Sequence, residues 1–181
     1  MEDTSRMEQP PAAILKTIRI IDSISEWSGR VFCWMVIPLM LGLSYEVIAR
    51  YVFDAPTIWA YEVAFMLYGG HFMLGAAYTL LKKGHIRTDF FYEHWSPRRK
   101  GWVDAMSYLF LFFPGLFFFL LASWDNASHS FIIGETSDAS PWRPILWPFK
   151  FVMPVTAVLL IAQGVSEFLK SAWAAKTGRS L

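Results

Sequence analysis

The chain has one cysteine, Cys33, in 181 residues. A lone thiol excludes an intrachain disulfide and any metal site built from several thiolates. Charge is scarce as well, since Asp, Glu, Lys and Arg make up 17% of the sequence against about 25% in an average soluble domain. The net charge of +1 carries no footprint for a nucleic acid, and no such partner is expected. Paired carboxylates, a Ser-His-Asp arrangement and a phosphate-binding loop are all missing, so the chain is not expected to be an enzyme. Of four histidines only His71 falls inside a long apolar segment, whereas His85 and His94 lie in a basic loop and His129 at a segment edge. A membrane haem needs two axial histidines at matching depth on facing helices. No cofactor or metal is therefore expected, and His71 is read as a histidine hydrogen-bonded inside a helix bundle. Internal repeats and low-complexity segments are also missing. No short apolar core with a small-residue cleavage site precedes the first long apolar segment, so that segment is expected to stay uncleaved.

What the sequence does have is apolar bulk: 55% apolar residues, 18% aromatics and a positive mean hydropathy. Four segments, about 31–49, 58–81, 102–124 and 145–168, suffice to cross roughly 30 Å of hydrocarbon as helices. The expected fold is an all-α integral membrane protein of four transmembrane helices. It comprises an N-terminal arm (1–30), a transmembrane domain (31–169) and a tail (170–181). Lys and Arg fix the expected orientation, because short basic loops stay in the cytoplasm. The arm, the loop between the second and third spans, and the tail hold 13 of them, against Arg50, Arg143 and Lys150 on the other side. Both termini are expected to be cytoplasmic.

Within the arm, Ile14, Ile18, Ile21 and Ile24 share one face and Lys16, Arg19, Asp22 and Ser23 largely another, which suits an interfacial helix or an extension of the first span. Gly84 is expected to cap a helix and Ser96-Pro97 to start one. Arg98, Arg99 and Lys100 would face lipid headgroups, although orientation signalling alone explains this basic run. An outer polar loop is expected from Asp125 to Pro144. In the third span Pro114-Gly115 predicts a kink, with Phe117 to Phe119 facing lipid or another protein. Gln163 and Glu167 are placed near the cytoplasmic end of the fourth span, where water reaches them. Gly69, Gly70, Gly75, Ala76 and Ala77 give the second span a small-residue face for a neighbouring helix.

Acidic and basic residues near a bilayer cost about 2.5 to 3.5 kcal/mol each at a helix centre, so those flanking the first hairpin call for a reason. Glu46 and Arg50 stand four apart and can pair along one helix, and Glu62 at the start of the next span can share Arg50. A charge-balanced hairpin cap is one reading of this set and a partner contact the other. Pro56 and Trp59 fit a tight turn followed by an interfacial anchor.

The ordered set Arg50-Tyr51-Val52-Phe53, Pro56, Trp59 and Glu62, followed after a span by Gly84-His85-Ile86-Arg87 and Asp89, resembles the DctQ family, the small membrane subunit of tripartite ATP-independent periplasmic (TRAP) transporters. Glu135-Thr136-Ser137, Lys150 and Pro154 resemble later landmarks of that family. Tyr61 departs from it, standing where an acidic residue often accompanies the one matched by Glu62. The resemblance implies a non-catalytic subunit in a bacterial or archaeal inner membrane that scaffolds a large membrane subunit. Its further partners would be a periplasmic substrate-binding protein and membrane lipids, and the cargo an organic acid or similar solute taken up with sodium. It makes Glu46, Arg50, Tyr51, Phe53, Pro56, Trp59 and Glu62 candidates for the outer contact, and Gly84, His85 and Asp89 for shaping the cytoplasmic turn. The competing readings are a self-sufficient homo-oligomeric four-helix carrier or channel, and a membrane redox subunit.

Overall fold

The computed structural model describes residues 10–84 and 95–179. Among them four helical rods, Ala12–Val52, Ala60–Leu81, Pro97–Ile133 and Trp147–Thr177, are each long and apolar enough to cross a membrane. The protein is thus an all-α, multi-pass membrane protein. His85 and Asp89, with the rest of the basic loop up to His94, lie outside the described residues.

Three of the rods are jointed. The first consists of α1 (Ala12–Phe32) and α2 (Val36–Val52), joined by a 3-10 turn at Cys33–Met35. Its 41 residues reach about 60 Å at 1.5 Å per residue, twice the hydrocarbon thickness, so one crossing does not use them all. The second divides at Gly75 into α3 (Ala60–Leu74) and α4 (Ala76–Leu81). The third runs from α5 (Pro97–Ser107) through a π-helical turn at Tyr108–Phe112 into α6 (Phe113–Ile133). Pro114 cannot donate to the carbonyl four residues back, and the ladder widens to the i+5 pattern directly before it, which is the form the expected kink takes. The fourth rod is one helix, α7 (Trp147–Thr177), with Pro154 inside it.

Helix ends follow from their chemistry. Ser96 caps α5 by accepting from the Arg99 amide, with Pro97 at the first helical position. At the other end of the rods the chain turns left-handed at Asp54 after α2, Lys83 after α4 and Gly134 after α6. The next amide then reaches back, Ala55 six residues to Ala49, Gly84 five to Thr79 and Glu135 five to Ser130, satisfying carbonyls that the helix leaves open. Gly84 therefore follows the left-handed position instead of occupying it, and Lys83 adopts the conformation expected of the glycine. The third span also continues further than expected. Residues from Asp125 to Ile133 are helical because Ala127 and Ser130 turn into the bundle, so the loop begins at Gly134.

The hub is α7, which packs against α6, α5, α1, α4 and α3. Its buried face carries Thr156, Ala157, Gln163, Gly164, Ser166, Glu167 and Ala175, small or polar side chains, while large apolar residues elsewhere such as Leu41, Phe72, Leu111 and Trp124 point outward. Large apolar residues gain nothing by leaving lipid, so close backbone approach and interhelical hydrogen bonds hold the bundle. A Cβ on Gly101 would lie 2.4 Å from the Ala175 nitrogen and 2.7 Å from the Ser171 oxygen, which marks where α5 seats on the backbone of α7. The small face of the second span instead receives side chains, Phe149 at Gly69 and Met35 at Gly70.

Candidate functional site

Polar side chains gather at the two ends of the bundle. At the turn end, Glu46 ties α2 to α3. One of its oxygens accepts from Arg50 Nε at 2.9 Å and from the same guanidinium through Nη2; the other accepts from the Thr57 amide at 3.0 Å and from the Thr57 hydroxyl. The Thr57 hydroxyl oxygen also accepts from the Ala60 amide at 3.3 Å, which starts α3. Trp59 stacks on Tyr45 with ring centroids 5.9 Å apart, so the tight turn and the aromatic anchor close on each other. Pro56 is exposed in this turn, and Tyr51 and Phe53 project outward, Tyr51 with 80% of its surface accessible.

Glu62 goes elsewhere. Only 2% exposed, it accepts from the Ser137 hydroxyl at 2.6 Å, while Arg50 pairs with Glu46. That bond hooks the 134–146 loop onto the second span. The loop folds back on itself through an isolated Thr136–Ile145 bridge and the amides of Ser137 and Leu146, bonded to Pro144 and Glu135 carbonyls. Lys150 Nζ closes it against Glu135 at 2.5 Å, and Arg143 bonds Asp138 at 2.6 Å. The hydrogen bond from Lys150, together with its charge, holds the Glu135 carboxyl below its ordinary range.

At the opposite, basic end a second network lies where the sequence placed water. Gln163 is fully buried and Glu167 is 4% exposed, enclosed between α1 and α7. Asp22 collects three donors, Ser166 Oγ at 2.7 Å, Gln163 Nε2 at 3.1 Å and Lys170 Nζ at 2.9 Å. Lys170 also donates to Glu167 at 2.7 Å, and Ser25 to the Gln163 carbonyl oxygen at 2.7 Å. The arm thus presents Ile18, Ser25, Ser28 and Gly29 inward and leaves Ile20, Ile24 and Trp27 exposed, so the isoleucine face is divided. His71 fulfils its expectation: its Nδ1 lies 3.1 Å from the Phe32 carbonyl, which accepts when that nitrogen carries the proton and joins the second span to the end of α1. Gly84 lies at this end too, after Lys82, which pairs with Glu26 of α1 at 3.6 Å.

Sequence reasoning missed Asp22, Ser25, Ser166 and Lys170. The signal was there: Gln163, Ser166, Glu167 and Lys170 repeat at three- and four-residue intervals, one polar stripe on an apolar helix. What both networks do chemically is clamp. Among the described residues no three His, Cys, Asp or Glu side chains gather as a metal site requires. The carboxylates of Asp22, Glu46, Glu62 and Glu167 accept hydrogen bonds from this chain's own donors.

Residues 39–173 match the family model of the tripartite ATP-independent periplasmic transporters, DctQ component. The chain is also similar to the sialic acid TRAP transporter permease protein SiaT of Haemophilus influenzae, 24% identical over 148 residues. That match covers 77% of this chain and 23% of SiaT, so the chain spans about a quarter of the relative's length.

Proposed function

This chain belongs to the DctQ component family of the tripartite ATP-independent periplasmic transporters, a non-enzymatic permease family, and from that premise we propose that it braces a large membrane subunit as a static scaffold. In this reading the large subunit carries an organic acid and sodium, a periplasmic binding protein delivers the acid, and the chain sits in the inner membrane with both termini cytoplasmic. The relative's name supports the solute class, since sialic acid is itself a carboxylic acid.

The observation that carries the proposal is the state of α2. Of its 17 residues only Ala49 is buried, and it packs chiefly against α3. Met40, Val47 and Tyr51, on the side away from Ala49, form an apolar face at the edge of the bundle. The polar groups support the same reading, because they cross-link helices instead of lining a path from one end to the other. A carrier that works alone needs such a path near the midplane.

The deciding experiment is purification of the tagged chain from its native membrane in mild detergent, paired with uptake by the purified chain in liposomes. The expected result is a large multispan protein at fixed ratio and no uptake by the chain alone. Solute uptake by the isolated chain would overturn the scaffold and establish a homo-oligomeric carrier.

A further inference from the structure

At the basic end, three clefts adjoin along the surface of the third and fourth rods. The first, about 510 Å³, is lined by Trp95, Ser96, Arg98, Arg99, Trp102 and Val103. It shares Arg98 and Trp102 with a second of about 430 Å³, where Met106 and Leu109 face Phe168, Ala172 and Lys176. Leu109 in turn borders a third, about 470 Å³, walled by Phe113, Phe117 and Ile161. The track therefore begins among cations and tryptophans and continues among purely apolar side chains toward the middle of the rods.

One of the charges at its mouth is fixed in place. Arg98 is pinned by the seating of Gly101 on α7, with its Nε donating to the Ala175 carbonyl and Nη2 to the Lys176 carbonyl, each at 3.1 Å. Those carbonyls are neutral, so the guanidinium keeps its charge. Neither Arg99 nor Lys176 forms an ion pair among the described residues. Trp95 and Trp102, 39% and 58% exposed, set the mouth at headgroup depth, where indole rings prefer to lie.

We propose that this track is a binding site for one anionic phospholipid, its phosphate held by Arg98, Arg99 and Lys176 and an acyl chain laid along Met106, Leu109 and Phe117. Orientation signalling accounts for a basic loop but not for an apolar channel leading from it. Charge selects the anionic headgroup, and the apolar continuation selects a lipid over a soluble phosphate. The site stands independently of which transporter the chain serves.

The test uses the full chain reconstituted in phosphatidylcholine vesicles containing a trace of either spin-labelled phosphatidylglycerol or spin-labelled phosphatidylcholine, with the immobilised fraction read by electron paramagnetic resonance. Phosphatidylglycerol should associate about fivefold or more in preference, as expected for even one engaged cation. Arg98→Gln, Arg99→Gln and Lys176→Gln together should bring the ratio close to one. Ala172→Trp, which fills the channel and leaves the cations intact, should lower the immobilised phosphatidylglycerol to the level of bulk boundary lipid. Equal association of the two lipids with the unmodified chain would overturn the proposal, as would a preference that survives both variants. Displacement by inorganic phosphate beyond that caused by chloride at equal ionic strength would equally overturn it, in favour of a soluble-anion site.

Discussion

Single residues here act as cross-links whose worth depends on enclosure. Lys170 bridges Asp22 and Glu167, and its side chain is only 20% exposed. Removing one partner from an enclosed set leaves charge without compensation, which typically costs about 3 to 5 kcal/mol. Lys170→Met should therefore lower the unfolding temperature in detergent strongly, and adding Asp22→Asn should restore part of the loss, as a double-mutant cycle would measure. At the other end the Glu135–Lys150 contact predicts a pH effect. A carboxyl held below its ordinary value of 4.5 contributes fully above that value, and its contribution is lost as the pH falls through the lower, folded-state value. Exchange protection of the Leu146 amide, which bonds the Glu135 carbonyl, should fall in acid relative to buried helix amides. Lys150→Met should remove that dependence, and an unchanged profile would refute the link.

Elements are positioned by where their backbones can touch. The seat of α5 on α7 has room for no side chain at position 101, and the obstructing atoms are backbone, which cannot rotate away. Gly101→Ala should force the helices apart and cost about 1 to 3 kcal/mol by overpacking, despite alanine's better helix propensity. Thermal unfolding of the variant beside a Gly115→Ala control, a site with nothing within 4 Å of the added Cβ, separates packing from propensity. A variant as stable as its control would show that the contact yields. The same displacement would move Arg98 from the last carbonyls of α7 and so loosen the tail.

For the whole molecule, the outward face of α2 distinguishes lipid from protein as its neighbour. Lipid chains flow around a larger apolar side chain, whereas a close-packed partner cannot. Val47→Trp should leave the isolated chain folded yet reduce recovery of the large subunit about tenfold, in line with an overpacking cost of 1 to 3 kcal/mol. Undiminished recovery would assign that face to lipid. A scaffold reading also fits the internal connections, since the clamps Glu46–Thr57, Glu62–Ser137 and Asp22–Lys170 tie rods to one another or to the connecting segments at both ends and suit a part that stays still.

The sequence by itself determined the membrane class, the four spans and the family pattern around Arg50 and Glu62. Hydropathy sums over neighbouring residues, and helix caps such as Ser96-Pro97 are local chemistry, so both can be read along the chain. Even the His71 hydrogen bond was foreseeable, because a midplane imidazole without a partner is too costly to leave unmade. Only the tertiary structure decided which polar groups meet. Asp22 and Lys170 are 148 residues apart, and Glu62 selects Ser137 over Arg50 because its helix turns that face toward the returning loop. Gln163 and Glu167 become buried, and the isoleucines of the arm divide between bundle and surface, for the same reason. Rotation and register about each helix axis are set by packing between rods, by contacts such as Gly101 on Ala175, and no local stretch of sequence encodes a contact between two distant ones.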